Sequence, residues 1–107
     1  MKTIARLSLA VFAVAFILSA ASFAADSGAD LYKAKCASCH GADGKGDTAM
    51  GKSLKLKDLA SEDVQKMSDA DLEGIIEKGK KPMPAYEGKL SKDQITEVVK
   101  YIRSMKK

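Results

Sequence analysis

The sequence predicts an all-α domain of three to five short helices. Ser27, Ser68 and Ser91 each stand before an apolar stretch, and an acidic or amide side chain follows three residues later. This spacing is typical of the capping box that starts a helix. Apolar residues then recur every three or four positions, and no alternating strand pattern competes. The longest stripe consists of Ile95, Val98, Val99, Ile102 and Met105.

The first residues have the layout of an export signal. Lys2 and Arg6 form a positive start, and residues 7–25 carry no charge. Small residues precede a break ahead of Ala25, so we expect residues 1–24 to be a cleaved secretory signal peptide. An uncleaved anchor is the alternative, because a stretch of 19 uncharged residues is just long enough to span a bilayer.

Removal of residues 1–24 from the chain of 107 leaves an 83-residue domain, 25–107. It also removes two positive charges, so the formal net charge falls from +4 to +2. This balance and the export signal disfavour nucleic-acid binding. The domain has no Trp and few aromatic residues, so its core is small, which favours a bound cofactor that adds apolar bulk. We expect a periplasmic monomer with no stable membrane insertion after cleavage.

The central motif is Cys36-Ala37-Ser38-Cys39-His40, a C-x-x-C-H run. Two thiols at this spacing can form thioethers with the vinyl groups on one porphyrin edge, and the next histidine then lies under the iron. The motif therefore predicts one haem c attached through Cys36 and Cys39, with His40 as the proximal iron ligand. For a bare C-x-x-C pair the alternatives are a redox disulfide and half of a zinc site.

The segment before the motif is predicted to be a short helix. Leu31, Tyr32 and Cys36 share one of its faces. Gly28 lies on the same face, where a missing side chain would let another helix cross closely; an ordinary glycine near a helix start is the alternative. Residues 41–47 follow the motif as a glycine- and aspartate-rich loop.

Residues 48–57 are predicted to be irregular and are rich in lysine. One of their backbone carbonyls is expected to accept a hydrogen bond from the ring nitrogen of His40 that does not face the iron. A short helical turn is expected within residues 59–67. A firmer helix is predicted to begin at Ser68 and to end at Gly79.

The segment Lys80-Lys81-Pro82-Met83-Pro84-Ala85-Tyr86 contains both prolines of the chain. Two prolines around one methionine make a stiff, extended segment that would hold a thioether at a defined point. Met83 is therefore predicted to be the distal iron ligand. Met50 is the main alternative, because it lies shortly after the haem motif, whereas Met67 and Met105 are expected to pack in or beside the core.

With these motifs the chain resembles the class I monohaem cytochromes c, and among them the small bacterial c551/c553 and cytochrome c6 kinds. Gly28 and Tyr32 stand eight and four residues before Cys36, as the family's first-helix glycine and aromatic residue do. Tyr101 matches the aromatic residue of the C-terminal helix. The chain departs from many members because no proline lies between the haem motif and Pro82. The resemblance spans residues 25–107 and implies the small cytochrome c fold wrapped around one haem.

The resemblance also implies a soluble carrier of single electrons. A respiratory chain is its expected setting, and a photosynthetic pathway is the alternative that the sequence leaves open. The iron would cycle between ferrous and ferric states while His40 and Met83 stay bound. With both axial positions filled, no enzymatic activity is expected. The alternatives are a subunit through which electrons pass into a larger complex, and a haem-based sensor or enzyme with a labile methionine ligand. A thiol–disulfide oxidoreductase would be expected to show a βαβ pattern, which the sequence lacks.

Lysines gather around both predicted ligand segments, whereas acidic residues gather between Asp58 and Glu73. A basic surface around the exposed haem edge would steer the carrier towards redox partner proteins with acidic docking surfaces. Solvated lysines without a docking role are the alternative. The lysines concerned are Lys33, Lys35, Lys45, Lys52, Lys55, Lys57, Lys78, Lys80, Lys81 and Lys89.

Overall fold

The computed structural model describes residues 27–107, so the predicted signal peptide, 1–24, lies outside the described residues. Within 27–107 the regular structure is helical, which confirms the all-α class. Six helices are present, and not three to five, because two of them are single turns of four residues. They are α1 Gly28–Lys35, α2 Ala37–His40, α3 Ala49–Leu54, α4 Glu62–Gln65, α5 Asp69–Lys78 and α6 Lys92–Ser104.

Serine side chains start the three longest helices, as predicted. Ser27, Ser68 and Ser91 each accept a hydrogen bond from the backbone N–H three residues later. At Ser91 the capping box is complete, because the Gln94 side chain accepts from the Ser91 N–H at 2.8 Å. These bonds satisfy amide groups that the first turn of a helix leaves without partners.

Residues 48–57 are not irregular throughout, because they contain α3. The Thr48 hydroxyl accepts from the Gly51 N–H at 2.8 Å and donates to the Cys39 carbonyl oxygen at 2.7 Å. Lys55 ends the helix in the left-handed conformation, with φ of 57°. The helix depends on these end contacts and not on an apolar stripe, so periodicity gives little sign of it.

Helices α1 and α6 cross at Gly28, where the sequence predicts a close approach. A Cβ at this position would overlap the carbonyl oxygen of Glu97 and lie 3.2 Å from the Tyr101 Cβ. One turn further on, the rings of Tyr32 and Tyr101 pack with their centroids 5.2 Å apart. The crossing fixes α1, and the motif that follows it, against the longest helix of the domain.

The core fills the space between α1, α5 and α6, and Tyr32 and Val98 are fully enclosed in it. Burial of these apolar surfaces is the main stabilising contribution to the fold. None of the helices within residues 27–107 has the length and apolar content needed to cross a bilayer. The buried apolar residues are Leu31, Tyr32, Cys36, Leu59, Val64, Leu72, Ile76, Leu90, Ile95, Val98, Val99 and Ile102.

A half-buried arginine ties the corner between α4 and α5 to α6. Arg103 donates to the carbonyl oxygens of Gln65 at 2.8 Å and Met67 at 2.5 Å, and it forms an ion pair with Asp69 at 2.8 Å. The Gln65 amide donates in turn to the Ile102 carbonyl oxygen at 2.9 Å. Because Met67 lines the central cavity, this contact shapes one wall of the site.

Candidate functional site

An apolar cavity of about 360 Å³ lies at the centre of the domain. A second cavity of about 230 Å³ shares six of its lining residues, so the two form one continuous site. The shared residues are Cys36, His40, Leu54, Leu56, Pro82 and Met83. All six helices contribute to the larger cavity, through Tyr32, His40, Leu54, Val64, Leu72 and Val98 in chain order.

The structure brings all four predicted site residues to these cavities. Cys36, His40 and Met83 line both of them, and Cys39 lines the smaller one. Both cysteines are free thiols. Two segments that lie far apart in the sequence, the C-x-x-C-H motif and residues 80–86 (the methionine loop), therefore line one site.

The single turn of α2 explains why the motif acts as a unit. The Cys36 N–H donates to the Tyr32 carbonyl oxygen at 2.8 Å, and the His40 N–H donates to the Cys36 carbonyl oxygen at 3.0 Å. Residues three and four positions apart in a helical turn point to the same side. Cys36, Cys39 and His40 are therefore presented together to the cavity.

His40 is partly buried, and burial lowers the pKa of its imidazole. At neutral pH the ring is therefore neutral, which is the form that binds a metal. Its Nδ1 atom is buried and has no hydrogen-bond partner within residues 27–107, so the acceptor expected among residues 48–57 is not present. One reason is that residues 49–54 are helical and use backbone carbonyls, such as that of Gly51, to close and cap α3.

The environment of Cys36 keeps its thiol protonated. Burial, together with the neighbouring Cys39, raises the pKa of the Cys36 thiol to about 11. Catalytic thiols in disulfide oxidoreductases instead have lowered pKa values, because the thiolate is the nucleophile. The site therefore does not favour thiol–disulfide exchange at Cys36.

The methionine loop is held by short backbone contacts. Lys80 and Met83 exchange backbone hydrogen bonds of 3.0 and 2.7 Å. Gly79 ends α5 with φ of 79°, and a Cβ there would lie 2.8 Å from the Ala85 nitrogen and 2.9 Å from the Met83 carbonyl oxygen. Because only glycine fits this turn, the loop returns tightly from α5 and keeps Met83 partly buried beside the core.

The other methionines are placed differently. Met50 has 52% of its surface exposed and lines neither cavity. Met67 lines the larger cavity from the corner between α4 and α5. Met105 packs against the core, and its Sδ atom faces Gly44. Met83 is the methionine that lines both cavities together with His40.

The residues of the site fit a haem group. The cavity walls are largely apolar, two free thiols lie at the smaller cavity, and a neutral imidazole and a thioether both line the site. Imidazole and thioether are an established axial pair for haem iron. Within the part of the chain that the structure describes, no cluster of three or more His, Cys, Asp or Glu side chains is arranged to hold a metal ion.

Comparisons with known proteins agree with this fit. The family model described as cytochrome c oxidase, cbb3-type, subunit III, matches residues 23–102. Cytochrome c6 of Nostoc sp. is 41% identical over 101 residues, which cover 90% of this chain and 84% of the Nostoc protein. The chain belongs to the cytochrome c family.

Further relatives support the same assignment. Cytochrome c6 of Synechococcus sp. is 34% identical over 95% of this chain and 91% of its own length. The solved structure of the KustC0563 c-type cytochrome superposes with a TM-score of 0.71 at 31% identity, covering 77% of this chain and all of that one. The predicted family and the small cytochrome c fold are thereby confirmed, and the cofactor is one covalently bound haem c.

Two polar side chains that bind the backbone beside the cysteines have contacts that were not predicted. Thr48 binds the Cys39 carbonyl oxygen, and the Tyr86 hydroxyl donates to the Lys35 carbonyl oxygen at 2.8 Å. Thr48 precedes α3 at a capping position, which is a local signal that could have been used. Tyr86 and Lys35 are 51 residues apart, so no local pattern indicates their contact.

Proposed function

We propose that the protein is a soluble carrier of single electrons. Cys36 and Cys39 attach the haem through thioethers, His40 is the proximal iron ligand and Met83 is the distal ligand. The observation that carries the proposal is the placement of these four side chains, from two distant segments, around two adjoining cavities that share lining residues. In each cycle the carrier takes one electron from a donor protein and passes it to an acceptor, with no bond made or broken in the polypeptide.

The residues of the chain tune and protect this exchange. Bound haem supplies reversible one-electron oxidation and reduction of its iron. His40 and Met83 would hold the haem iron through a neutral imidazole nitrogen and a thioether sulfur, and a thioether ligand would favour the ferrous state. The largely apolar walls limit the access of water, and the backbone hydrogen bonds between Lys80 and Met83 hold the segment that carries the Met83 sulfur.

A basic rim supports docking on acidic partner surfaces. Lys35, Lys55, Lys57, Lys80 and Lys81 line the two cavities and are exposed, and no carboxylate is among the lining residues within 27–107. Lys57 forms a solvent-exposed ion pair with Asp63 at 3.8 Å. The positive rim would orient a donor or acceptor with an acidic surface towards the haem edge.

Export and the oligomeric state are part of the same proposal. Residues 1–24 are a cleaved secretory signal, and the domain 25–107 acts as a periplasmic monomer without catalytic activity. Mass spectrometry of the protein purified from a haem-attaching bacterial host gives the position of cleavage directly. Retention of residues 1–24 with the protein in the membrane fraction contradicts this part of the proposal.

A second candidate function is that of a subunit through which electrons pass into a larger complex. It is favoured by the matching family model, which is described as a subunit of a cbb3-type oxidase. The two candidates differ in their association. A carrier elutes alone at the size of one domain after gentle cell disruption, whereas a stable subunit elutes with the complex.

Absorption spectroscopy of the purified wild-type, Met83→Ala and Met50→Ala proteins tests the ligand assignment. We expect covalent haem in all three proteins. The weak ferric band of iron–methionine ligation is expected in the wild type and Met50→Ala and not in Met83→Ala. Persistence of the band in Met83→Ala contradicts the assignment, and a wild-type protein without the band favours the sensor or enzyme alternative.

A further inference from the structure

The Tyr86 side chain joins the methionine loop to residues 35–40, the haem-attachment segment, which comprises the end of α1 and the C-x-x-C-H motif. Its hydroxyl donates to the carbonyl oxygen of Lys35 at 2.8 Å. Lys35 is the last residue of α1 and directly precedes Cys36. The last carbonyl groups of a helix have no partner inside the helix, so the tyrosine satisfies a group that α1 cannot satisfy itself.

The backbone of Tyr86 is fixed on its other side. Its N–H donates to the Ile76 carbonyl oxygen at 2.9 Å, which ties the loop to α5. Its carbonyl oxygen accepts from the N–H groups of Lys89 and Leu90, both at 2.9 Å, in the turn that leads to α6. Tyr86 is thus anchored by its backbone to α5 and to this turn, and by its side chain to α1.

The position of this contact relates it to Met83. The Tyr86 ring lines the smaller cavity together with Cys36, Cys39 and Met83. Within residues 27–107, the hydroxyl–carbonyl bond is the one side-chain hydrogen bond that joins residues 79–90 to residues 27–40. Met83 lies three residues before Tyr86, so loss of this bond removes the side-chain hydrogen bond between the segment that carries Met83 and residues 27–40.

We propose that Tyr86 is a positioning residue for Met83, holding the methionine loop against the haem-attachment segment through its hydroxyl on the Lys35 carbonyl. The proposal rests on the proposed function, in which Met83 binds the iron. In the folded holoprotein the bond opposes departure of the methionine sulfur from the iron, because it restrains the loop that carries Met83 from moving away from α1.

Two tyrosine variants isolate the hydroxyl. Tyr86→Phe removes only this donor and keeps the ring, over which Lys89 Nζ lies 5.8 Å from the centroid. Tyr101→Phe is the matched control, because the Tyr101 ring packs on Tyr32 but its hydroxyl makes no hydrogen bond within residues 27–107.

The test measures how readily the ferric holoproteins exchange Met83 for added imidazole, which binds the iron where the methionine leaves it. We expect Tyr86→Phe to bind imidazole about two- to fivefold more tightly than the wild type, since one neutral, solvent-accessible hydrogen bond is lost. Amide hydrogen exchange at residues 80–87 is expected to be faster by a similar factor. Tyr101→Phe is expected to match the wild type in both measurements.

The outcomes separate this proposal from the ligand assignment. A wild-type protein that shows the iron–methionine band, together with unchanged imidazole affinity in Tyr86→Phe, overturns the role of Tyr86 and leaves Met83 as the ligand. A wild-type protein without the band overturns the assignment of Met83 and this proposal with it. Equal changes in Tyr86→Phe and Tyr101→Phe indicate general loosening and also overturn the proposal.

Discussion

Gly28 of α1 lies directly against the backbone of Glu97 in α6. A Cβ at position 28 would overlap the Glu97 carbonyl oxygen and lie 2.8 Å from its carbonyl carbon. Backbone atoms in the middle of a 13-residue helix cannot move aside as the end of a side chain can. The two helices can therefore keep their separation only with glycine at this position.

Gly28→Ala is expected to lower the free energy of unfolding of the holoprotein by about 3 kcal/mol, since overpacking against a rigid neighbour forces the helices apart. Guanidinium unfolding followed by far-UV circular dichroism measures the change. Gly74→Ala in α5 is the control, because nothing lies within 4 Å of its added Cβ. This control is expected to stabilise the protein by about 0.5–1 kcal/mol through helix propensity. Equal changes in the free energy of unfolding for Gly28→Ala and Gly74→Ala would contradict the close contact between α1 and α6 at Gly28.

Most of the fold was predictable because its signals are local. The caps at Ser27, Ser68 and Ser91 and the apolar stripe of α6 lie within single helices, and the structure contains all of them. Gly28 was identifiable from its place on the apolar face of α1 together with the family resemblance, because its local sequence alone is also that of an ordinary glycine near a helix start. Helix α3, by contrast, depends on Thr48 and on its contact with the C-x-x-C-H segment. The spacing of apolar residues in the sequence does not indicate such contacts.

The residues that meet at the site were predictable from the sequence, but their surroundings were not. Residue type and spacing single out Cys36, Cys39 and His40, the flanking prolines single out Met83, and the structure brings all four to the same two cavities. A hydrogen-bond partner for the His40 Nδ1 atom depends on how residues 48–57 fold back towards the motif. The carbonyl group expected there does not accept a hydrogen bond from this atom. The Tyr86–Lys35 bond joins residues that only the finished fold brings together.

Arg103→Ala is expected to lower the free energy of unfolding by about 1–3 kcal/mol, because the Gln65 and Met67 carbonyl groups lose their donor. Arg103→Lys is expected to recover part of this loss, since an ammonium group cannot reproduce the planar set of donors. The exposed Lys100, which pairs with Glu97 at 3.2 Å, supplies the control. Lys100→Ala is expected to stay within about 0.5 kcal/mol of the wild type in chemical unfolding. A loss of stability in Lys100→Ala as large as that in Arg103→Ala would show that the effect is not specific to the contacts of Arg103.

Tyr32→Phe is expected to destabilise the protein by about 1–2 kcal/mol at pH 7. The Tyr32 side chain is fully buried, and its hydroxyl donates to the Gly41 carbonyl oxygen at 2.6 Å, which would be left without this donor. Urea unfolding of both proteins at pH 7 measures the difference. A variant as stable as the wild type would show that the bond contributes nothing net.

The difference in stability between the wild type and Tyr32→Phe is also expected to depend on pH. Burial raises the pKa of the Tyr32 phenol above its unfolded value of about 10. The folded state then binds the proton more tightly, so this contribution is complete below pH about 10 and is lost as the pH rises towards the folded pKa. The stability difference between wild type and Tyr32→Phe is therefore expected to be constant from pH 6 to 9 and to shrink above pH about 10. A difference that grows with pH would contradict the burial of the phenol.

Charge reversal at the rim of the cavity is expected to change the rate of electron transfer with a charged probe. Lys80→Glu places a negative charge among residues that line the larger cavity, so oxidation of the reduced protein by ferricyanide is expected to slow by about three- to tenfold at low ionic strength. The effect is expected to fade above roughly 0.1 M salt, where the screening length is about 10 Å. Lys106→Glu carries the same net charge at a position that lines neither cavity, and a much smaller change is expected. Stopped-flow absorbance at several salt concentrations measures the oxidation rate of both variants. Equal slowing in Lys80→Glu and Lys106→Glu would mean that the net charge, and not a basic rim, determines how ferricyanide approaches the protein.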